Sequence, residues 1–235
     1  TTNGSGTSTL IVGVQGCQGS GKSTLSDFLK LLVKIRHSLN AAVLSIDDFY
    51  LTKNERKALA NRVHPLLCTR GVPGTHDTQL AIDTIHALQN LQASQEYRIP
   101  RFNKAIDDRA PENEWDAISG PVDIIILEGW CVGLDAQPES ELTTHTNELE
   151  EREDATRVWR TYVNNCLAKE YQELFSLIEH TVMLAPPSFK CVFDWRLLQE
   201  EKLKEKLNTA GSTEANKGIM NPEQIKRFIS HYQRL

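Results

Sequence analysis

TLIVGVQGCQGSGKSTLSD, Thr9 to Asp27, is the stretch whose reading decides the fold. Leu10 to Val14 is a short run of β-branched and apolar residues, which suits a strand. It breaks into Gly16-Cys17-Gln18-Gly19-Ser20-Gly21-Lys22-Ser23, after which apolar residues recur at helical spacing. This is G-x-x-x-x-G-K-S in the setting that gives the motif its meaning, a strand before and a helix after. Glycines let the backbone adopt conformations that a Cβ forbids, so successive N–H groups can turn inward on a phosphate. The helix N-terminus beneath them favours negative charge. Gln18, Gly19, Ser20, Gly21, Lys22, Ser23 and Thr24 are therefore expected to hold a nucleoside triphosphate. Lys22 would reach the outer phosphates, and the Ser23 hydroxyl would ligate Mg²⁺.

Outward from this motif, the composition limits the possibilities. A chain of 235 residues, 40% hydrophobic, can bury a full core and reads as one domain over 9–235 behind a Gly/Ser/Thr tail at 1–8. A net charge of -5 argues against a nucleic-acid partner, because a phosphate backbone calls for a basic face. No apolar run approaches ~20 residues and no leader pattern opens the chain, so neither a membrane span nor a signal peptide is expected. Five cysteines, Cys17, Cys68, Cys131, Cys166 and Cys191, show no C-x-x-C spacing and read as reduced thiols of a cytoplasmic protein. Nothing in the sequence bears on oligomeric state.

The helix after the motif is expected to end near Asn40, and Ala41–Ile46 then supplies the second strand of a βαβ unit. That strand delivers Asp47-Asp48-Phe49-Tyr50 to the carboxyl rim of the sheet, where ligands of open α/β folds bind. A carboxylate there can accept the proton of an attacking hydroxyl, so Asp47 is a candidate base and also a candidate metal partner. Asp48 and Tyr50 are candidate acceptor contacts, although an aromatic at this point more often packs and an Asp often caps a turn. The irregular stretch His64–Asp77 carries Arg70, His76 and Asp77 around two prolines and two glycines. Arg101, Lys104 and Arg109 fall within nine residues and could clamp a carboxylate or phosphate; the alternative is a solvated loop balanced by Asp107 and Asp108. These segments, about 48–110, are the expected acceptor-binding region. Pro121–Leu127 reads as another buried strand, ending in Glu128 where a magnesium-partnering acid belongs. Residues 135–154 are acidic and poor in apolar side chains, and are expected to form a mobile insertion. Helices are expected from Val158, after Ser188 and after Asn221, with a short strand at Thr181–Leu184. The last helix has no strand behind it, so the sheet is expected to be one strand short.

These blocks together resemble the P-loop kinase group of uridine kinase, phosphoribulokinase and pantothenate kinase, and within it the D-glycerate 3-kinase family most of all. The matching pieces are GCQGSGKST (16–24), SIDDFYLT (45–52), RGVPGTHD (70–77), IPRFNKAIDDRA (99–110), IILEGWCVG (125–133) and DWRLLQE (194–200). The resemblance implies a three-layer αβα fold with a mostly parallel central sheet and a helical lid at about 189–220. It implies ATP and Mg²⁺, with Asp47 at the position of the base and Glu128 at that of the strand-end acid. It also implies that Arg196 of the lid helix approaches the transferring phosphoryl group. The activity implied is ATP-dependent phosphorylation of a small acceptor hydroxyl, D-glycerate first, with a nucleoside, pantothenate or another sugar acid as the alternative acceptor. A regulatory nucleotide-binding protein without an acceptor is the reading from a different class.

Overall fold

The structure is a computed structural model, and it describes residues 8–209 and 220–235. Most of the expected tail, 1–7, and the loop of the expected lid, 210–219, lie outside the described residues. The chain opens with β1 (Leu10–Gly16), α1 (Lys22–His37) and β2 (Ala41–Ser45). It continues through α2 (Lys53–Arg62), α3 (Thr78–Gln89), β3 (Glu96–Ile99), β4 (Phe102–Asn103), β5 (Asp108–Arg109), β6 (Asp116–Ser119) and β7 (Ile124–Gly129). Then come α4 (Glu148–Glu153), α5 (Val158–Cys166), α6 (Gln172–Phe175), β8 (His180–Leu184), α7 (Phe189–Thr209) and α8 (Pro222–Ser230).

The central sheet has the order β2-β7-β1-β8 with every described pair parallel, the P-loop strand sitting between β7 and β8. Side chains alternate across a strand, so register decides which residues share a face. Ile11 pairs with Ile125, which pairs with Ala42, while Leu127 pairs with Leu44. These five point to one face and join a single core with Ala81, Ile85 and Leu88 of α3 and with Val163, Leu167 and Leu174 from the α5–α6 region. α1 packs against β1, β2 and β7. The result is the three-layer αβα arrangement of P-loop nucleotide-binding proteins. Leu127 is fully buried at the middle of this stack, where truncation to Ala costs about 2–5 kcal/mol.

Two short antiparallel pairs, β3 with β6 and β4 with β5, stand apart from the main sheet. The β4–β5 hairpin turns at Lys104–Asp107, where Asp107 adopts a left-handed conformation (φ 58°). A smaller second core, Val192, Ile225 and Ile229 with Phe193, Leu197 and Phe228, fastens α8 to α7.

Residues 135–154 differ from the mobile insertion that their composition suggests. Asn147 caps α4, and two carboxylates within the stretch are buried: Glu150 is paired with Arg234, and Asp154 with Arg160 at 3.0 Å. Asp154 also accepts from the backbone N–H groups of Trp159 and Arg160, at 2.8 and 3.1 Å. The charges that made the segment look solvated are its ties to the core. All five cysteines are free, and no helix among the described residues is long and apolar enough to cross a membrane.

Candidate active site

The P-loop takes its shape from glycines at two left-handed positions, Gly19 (φ 85°) and Gly21 (φ 86°), the second serving as N-cap of α1. Gly19 is constrained twice. A Cβ there would lie 2.6 Å from Cβ of Trp195, so α7 rests directly on the loop. This places the helix that carries Arg196 over the phosphate cradle.

The groups left open here are those a triphosphate and its cation require. Ser23 Oγ donates to Glu128 Oε1 at 3.1 Å, while the second carboxylate oxygen, Oε2, is buried without a partner. Ser20 Oγ is buried and likewise unpartnered. Mg²⁺ is usually held by one or two carboxylates, with phosphate oxygens and waters completing its octahedron. A hydroxyl beside a buried orphan carboxylate oxygen fits that requirement, and no larger group of metal-ligating side chains exists among the described residues.

A cleft of about 810 Å³ runs from this point across the carboxyl rim. Gln18, Gly19, Lys22, Ser23, Asp47, Asp48, Tyr50, Arg70, Lys104, Glu128 and Arg196 all line it, so sequence positions from 18 to 196 converge on one cleft. The β2 strand runs into a 3₁₀ turn, Ile46–Phe49, whose apolar ends Ile46 and Phe49 are fully buried. That anchoring turns Asp47 into the cleft. Asp47 Oδ1 accepts from the Tyr50 hydroxyl at 2.7 Å, and Oδ2 accepts from Lys104 Nζ at 2.6 Å. Burial pushes this carboxyl up, but the Lys104 ammonium and the two hydrogen bonds outweigh it and hold the group at about 2.

Four of the expected acceptor residues support the wall instead of facing the cleft. Asp77 caps α3 through the N–H of Leu80 (3.0 Å) and pairs with Arg109 at 3.1 Å. His76 is buried, stacks on the Tyr50 ring at 4.5 Å between centroids, and shares a hydrogen bond with the Tyr171 hydroxyl. Burial lowers its pKa to about 4, so it is a neutral packing histidine at neutral pH. Arg101 bridges Asp48 and Asp116, each at 2.7 Å. It lines a separate hollow of about 420 Å³ behind the Ser23–Glu128 pair. Asp48 is further tied to the N–H of Phe102 at 3.1 Å, so it fixes the β4 strand to the rim although its side chain touches the cleft.

Arg196 is held within its own helix. Its guanidinium pairs with Glu200, donates to Gln199 Oε1 at 3.1 Å and lies over the Phe228 ring at 5.6 Å. Glu200 is itself buried and accepts the N–H of Met220 at 3.1 Å.

Arg56 and Asp107 are cleft residues that sequence reasoning did not single out. Arg56 is 1% exposed and donates to the carbonyls of Leu51 (3.1 Å), Cys68 (2.9 Å) and Asp107 (2.8 Å). Its guanidinium also pairs with the Asp107 carboxylate at 2.9 Å, and that carboxylate is shared with Arg70. The usable signal is the capping box Thr52–Glu55, which fixes where α2 starts and so turns Arg56, with Leu59 one turn on, to the inside.

No family model matches the chain. It is 33% identical over 231 residues to the uncharacterized kinase mug58 of Schizosaccharomyces pombe, covering 95% of this chain and 78% of that one. It is 30% identical over 230 residues to the chloroplastic D-glycerate 3-kinase of Arabidopsis thaliana, covering 95% of this chain and 46% of that protein's length. Among solved structures, the D-glycerate 3-kinase of Cryptococcus neoformans superposes with a TM-score of 0.78 at 30% identity, over 97% of this chain and 77% of that one.

Proposed function

The chain belongs to the family of ATP-dependent P-loop kinases that includes D-glycerate 3-kinase, and from that premise we propose that it phosphorylates a hydroxyl of a small carboxylate acceptor, D-glycerate in the first place, giving 3-phosphoglycerate. The observation that carries the carboxylate is the Arg56–Arg70 pair. Two guanidiniums on the cleft wall share the single carboxylate of Asp107, leaving net positive charge opposite the phosphate cradle.

In this reading the residues divide the work. Amides of Gln18 to Thr24 and Lys22 hold the β- and γ-phosphates of ATP. Ser23 and Glu128, with Asp47 nearby, would hold Mg²⁺, which would supply positive charge to neutralise the charge developing on the phosphates. Asp47 accepts the proton of the attacking hydroxyl once an acceptor replaces one of its two present donors, and the Tyr50 hydroxyl keeps the carboxylate oriented. Arg70 receives the acceptor carboxylate as a two-toothed fork. Arg196, released from Glu200, adds positive charge on the lid side of the transferring group.

The test is Mg²⁺-dependent ADP release against D-glycerate, L-glycerate, pantothenate, uridine and glycerol. Stimulation by D-glycerate with formation of 3-phosphoglycerate is the expected result. Stimulation by uridine or glycerol without any carboxylate effect would overturn the acceptor class and leave the kinase in place. ATP binding with no stimulation by any acceptor would favour a regulatory nucleotide-binding protein.

A further inference from the structure

The β4–β5 hairpin tip faces solvent with its apolar residue and faces the cleft with its charges. Ile106 is 56% exposed, whereas Lys104 and Asp107, on either side of it, both reach inward. Lys104 donates to Asp47, and Asp107 accepts from Arg70 and Arg56. A hydroxy acid bound for phosphoryl transfer needs the same two anchor points, a donor on Asp47 and a carboxylate on Arg70. The tip presents both from one turn of chain.

We propose that residues Lys104–Asp107 occupy the acceptor's site as an internal surrogate, and that a carboxylate acceptor binds by exchanging with the Asp107 carboxylate on Arg70 while its hydroxyl takes over from Lys104 on Asp47. This rests on the carboxylate-acceptor reading above and names the residues that set affinity and selectivity within it.

The surroundings support an exchange. Arg56 keeps its bonds to the Leu51 and Cys68 carbonyls when Asp107 leaves, and Arg70 keeps the Phe102 ring beneath it at 5.6 Å, so the receiving cations stay in position. Apart from the Lys104 and Arg70 pairs, the tip is held by Arg56, which donates to the Asp107 carbonyl at 2.8 Å and pairs with its carboxylate at 2.9 Å; its flanking strands are two residues each, and Ala105 bonds only locally to Asn103. The Arg70–Asp107 pair stays near a third exposed on both sides, which leaves it open to competition from an anion in solution. A neutral polyol could displace Lys104 but offers nothing to Arg70, so the exchange selects for a carboxylate.

The experiment pairs calorimetric binding of D-glycerate and glycerol, in the presence of a non-hydrolysable ATP analogue, with the rate at which trypsin cuts after Lys104. In the wild-type protein, saturating D-glycerate should speed that cut several-fold, because the tip is released, and glycerol should not. Asp107→Asn should bind D-glycerate about fivefold more tightly, be cut quickly without ligand, and gain nothing on adding it. D-glycerate that binds while the cut slows or stays unchanged overturns the surrogate alone and leaves the acceptor class standing, as does weaker binding by Asp107→Asn. Failure of any carboxylate acceptor to bind the wild-type protein overturns both. The tryptic readout on the wild-type chain does not depend on whether the variant folds.

Discussion

The two halves of the cleft handle charge in opposite ways. On the nucleotide side, polar groups are left open: Ser20 Oγ and Glu128 Oε2 are buried and unpartnered. No carboxylate among the described residues lies within ion-pair distance of Lys22. On the acceptor side every charge already has a protein partner: Asp47 with Lys104, Asp48 with Arg101, Asp77 with Arg109, Asp107 with Arg56 and Arg70. A triphosphate brings so much charge that a site can wait for it with bare amides and an unpaired ammonium. A small acceptor brings one carboxylate and some hydroxyls, too little to stabilise a wall of unpaired buried charges, so the charges of that wall are paired within the protein and must trade partners.

If this contrast holds, the largest effect of any substitution belongs to Lys22. Lys22→Met removes the charge proposed to face the transferring phosphoryl group, and kcat/KM should fall by about 10³-fold while thermal stability stays close to wild type. A large loss of stability would mean that Lys22 is a structural cation like those across the cleft. Next in size is a pair of arginines drawn from the two roles on the acceptor side. Arg70→Ala should raise the KM for D-glycerate by about 30-fold or more with kcat less affected, since it leaves an incoming carboxylate unpaired. Arg109→Ala should do the reverse, costing about 1–3 kcal/mol of stability through the loss of its pair with Asp77 while the acceptor KM of the folded enzyme is unchanged. Equal KM effects would erase the distinction between wall and ligand residue.

The same contrast explains what the sequence disclosed. Where backbone geometry carries the motif, spacing is diagnostic: Gly19 and Gly21 both adopt left-handed conformations, and strand, loop and helix appear where the pattern puts them. Topology followed because βαβ units permit few arrangements. On the acceptor side a count of cations is ambiguous, because an arginine that grips a ligand and one that braces a loop share the same composition. Arg70 lines the cleft while Arg109 pairs with Asp77 behind its wall, a difference that only the fold shows. Asp107 looked like solvent-side balance, and only the left-handed turn that aims it inward shows otherwise. Residues 135–154 misled for the same reason, since the partners of Glu150 and Asp154 are Arg234, 84 residues away, and Arg160.

A smaller effect reads the wall through pH. His76 has its pKa lowered by burial to about 4, while an unfolded histidine titrates near 6.5. Between those values the unfolded chain binds the extra proton and the folded one does not. The contribution is therefore fully present above pH 6.5 and is lost at up to about 1.4 kcal/mol per pH unit as pH falls towards 4. His76→Gln should flatten this part of the stability profile, measured by urea unfolding from pH 7 to 4.5. His231 is also lowered by burial and leaves a residual slope in the variant. A profile unchanged by the substitution would mean that His76 is protonated in the fold, and so is part of the cleft's charge and not its packing.

The smallest effect separates the wall from its outer rim. Asp116 shares Arg101 with Asp48, but its side chain is 71% exposed against 18% for Asp48. An exposed partner is already solvated when its ion pair breaks, so Asp116→Asn should change stability by no more than about 0.5 kcal/mol and leave both KM values alone. Asp48→Asn strips charge from a carboxylate that also receives the Phe102 N–H, and β4 carries the hairpin that ends in Lys104 and Asp107. It should therefore shift the acceptor KM as well as stability. If Asp116→Asn instead matched Asp48→Asn in KM, Arg101 would be positioned chiefly from outside. The hollow it lines behind Glu128 would then belong to the working site, and the division between an open nucleotide side and an internally paired acceptor side would have to be redrawn through Arg101.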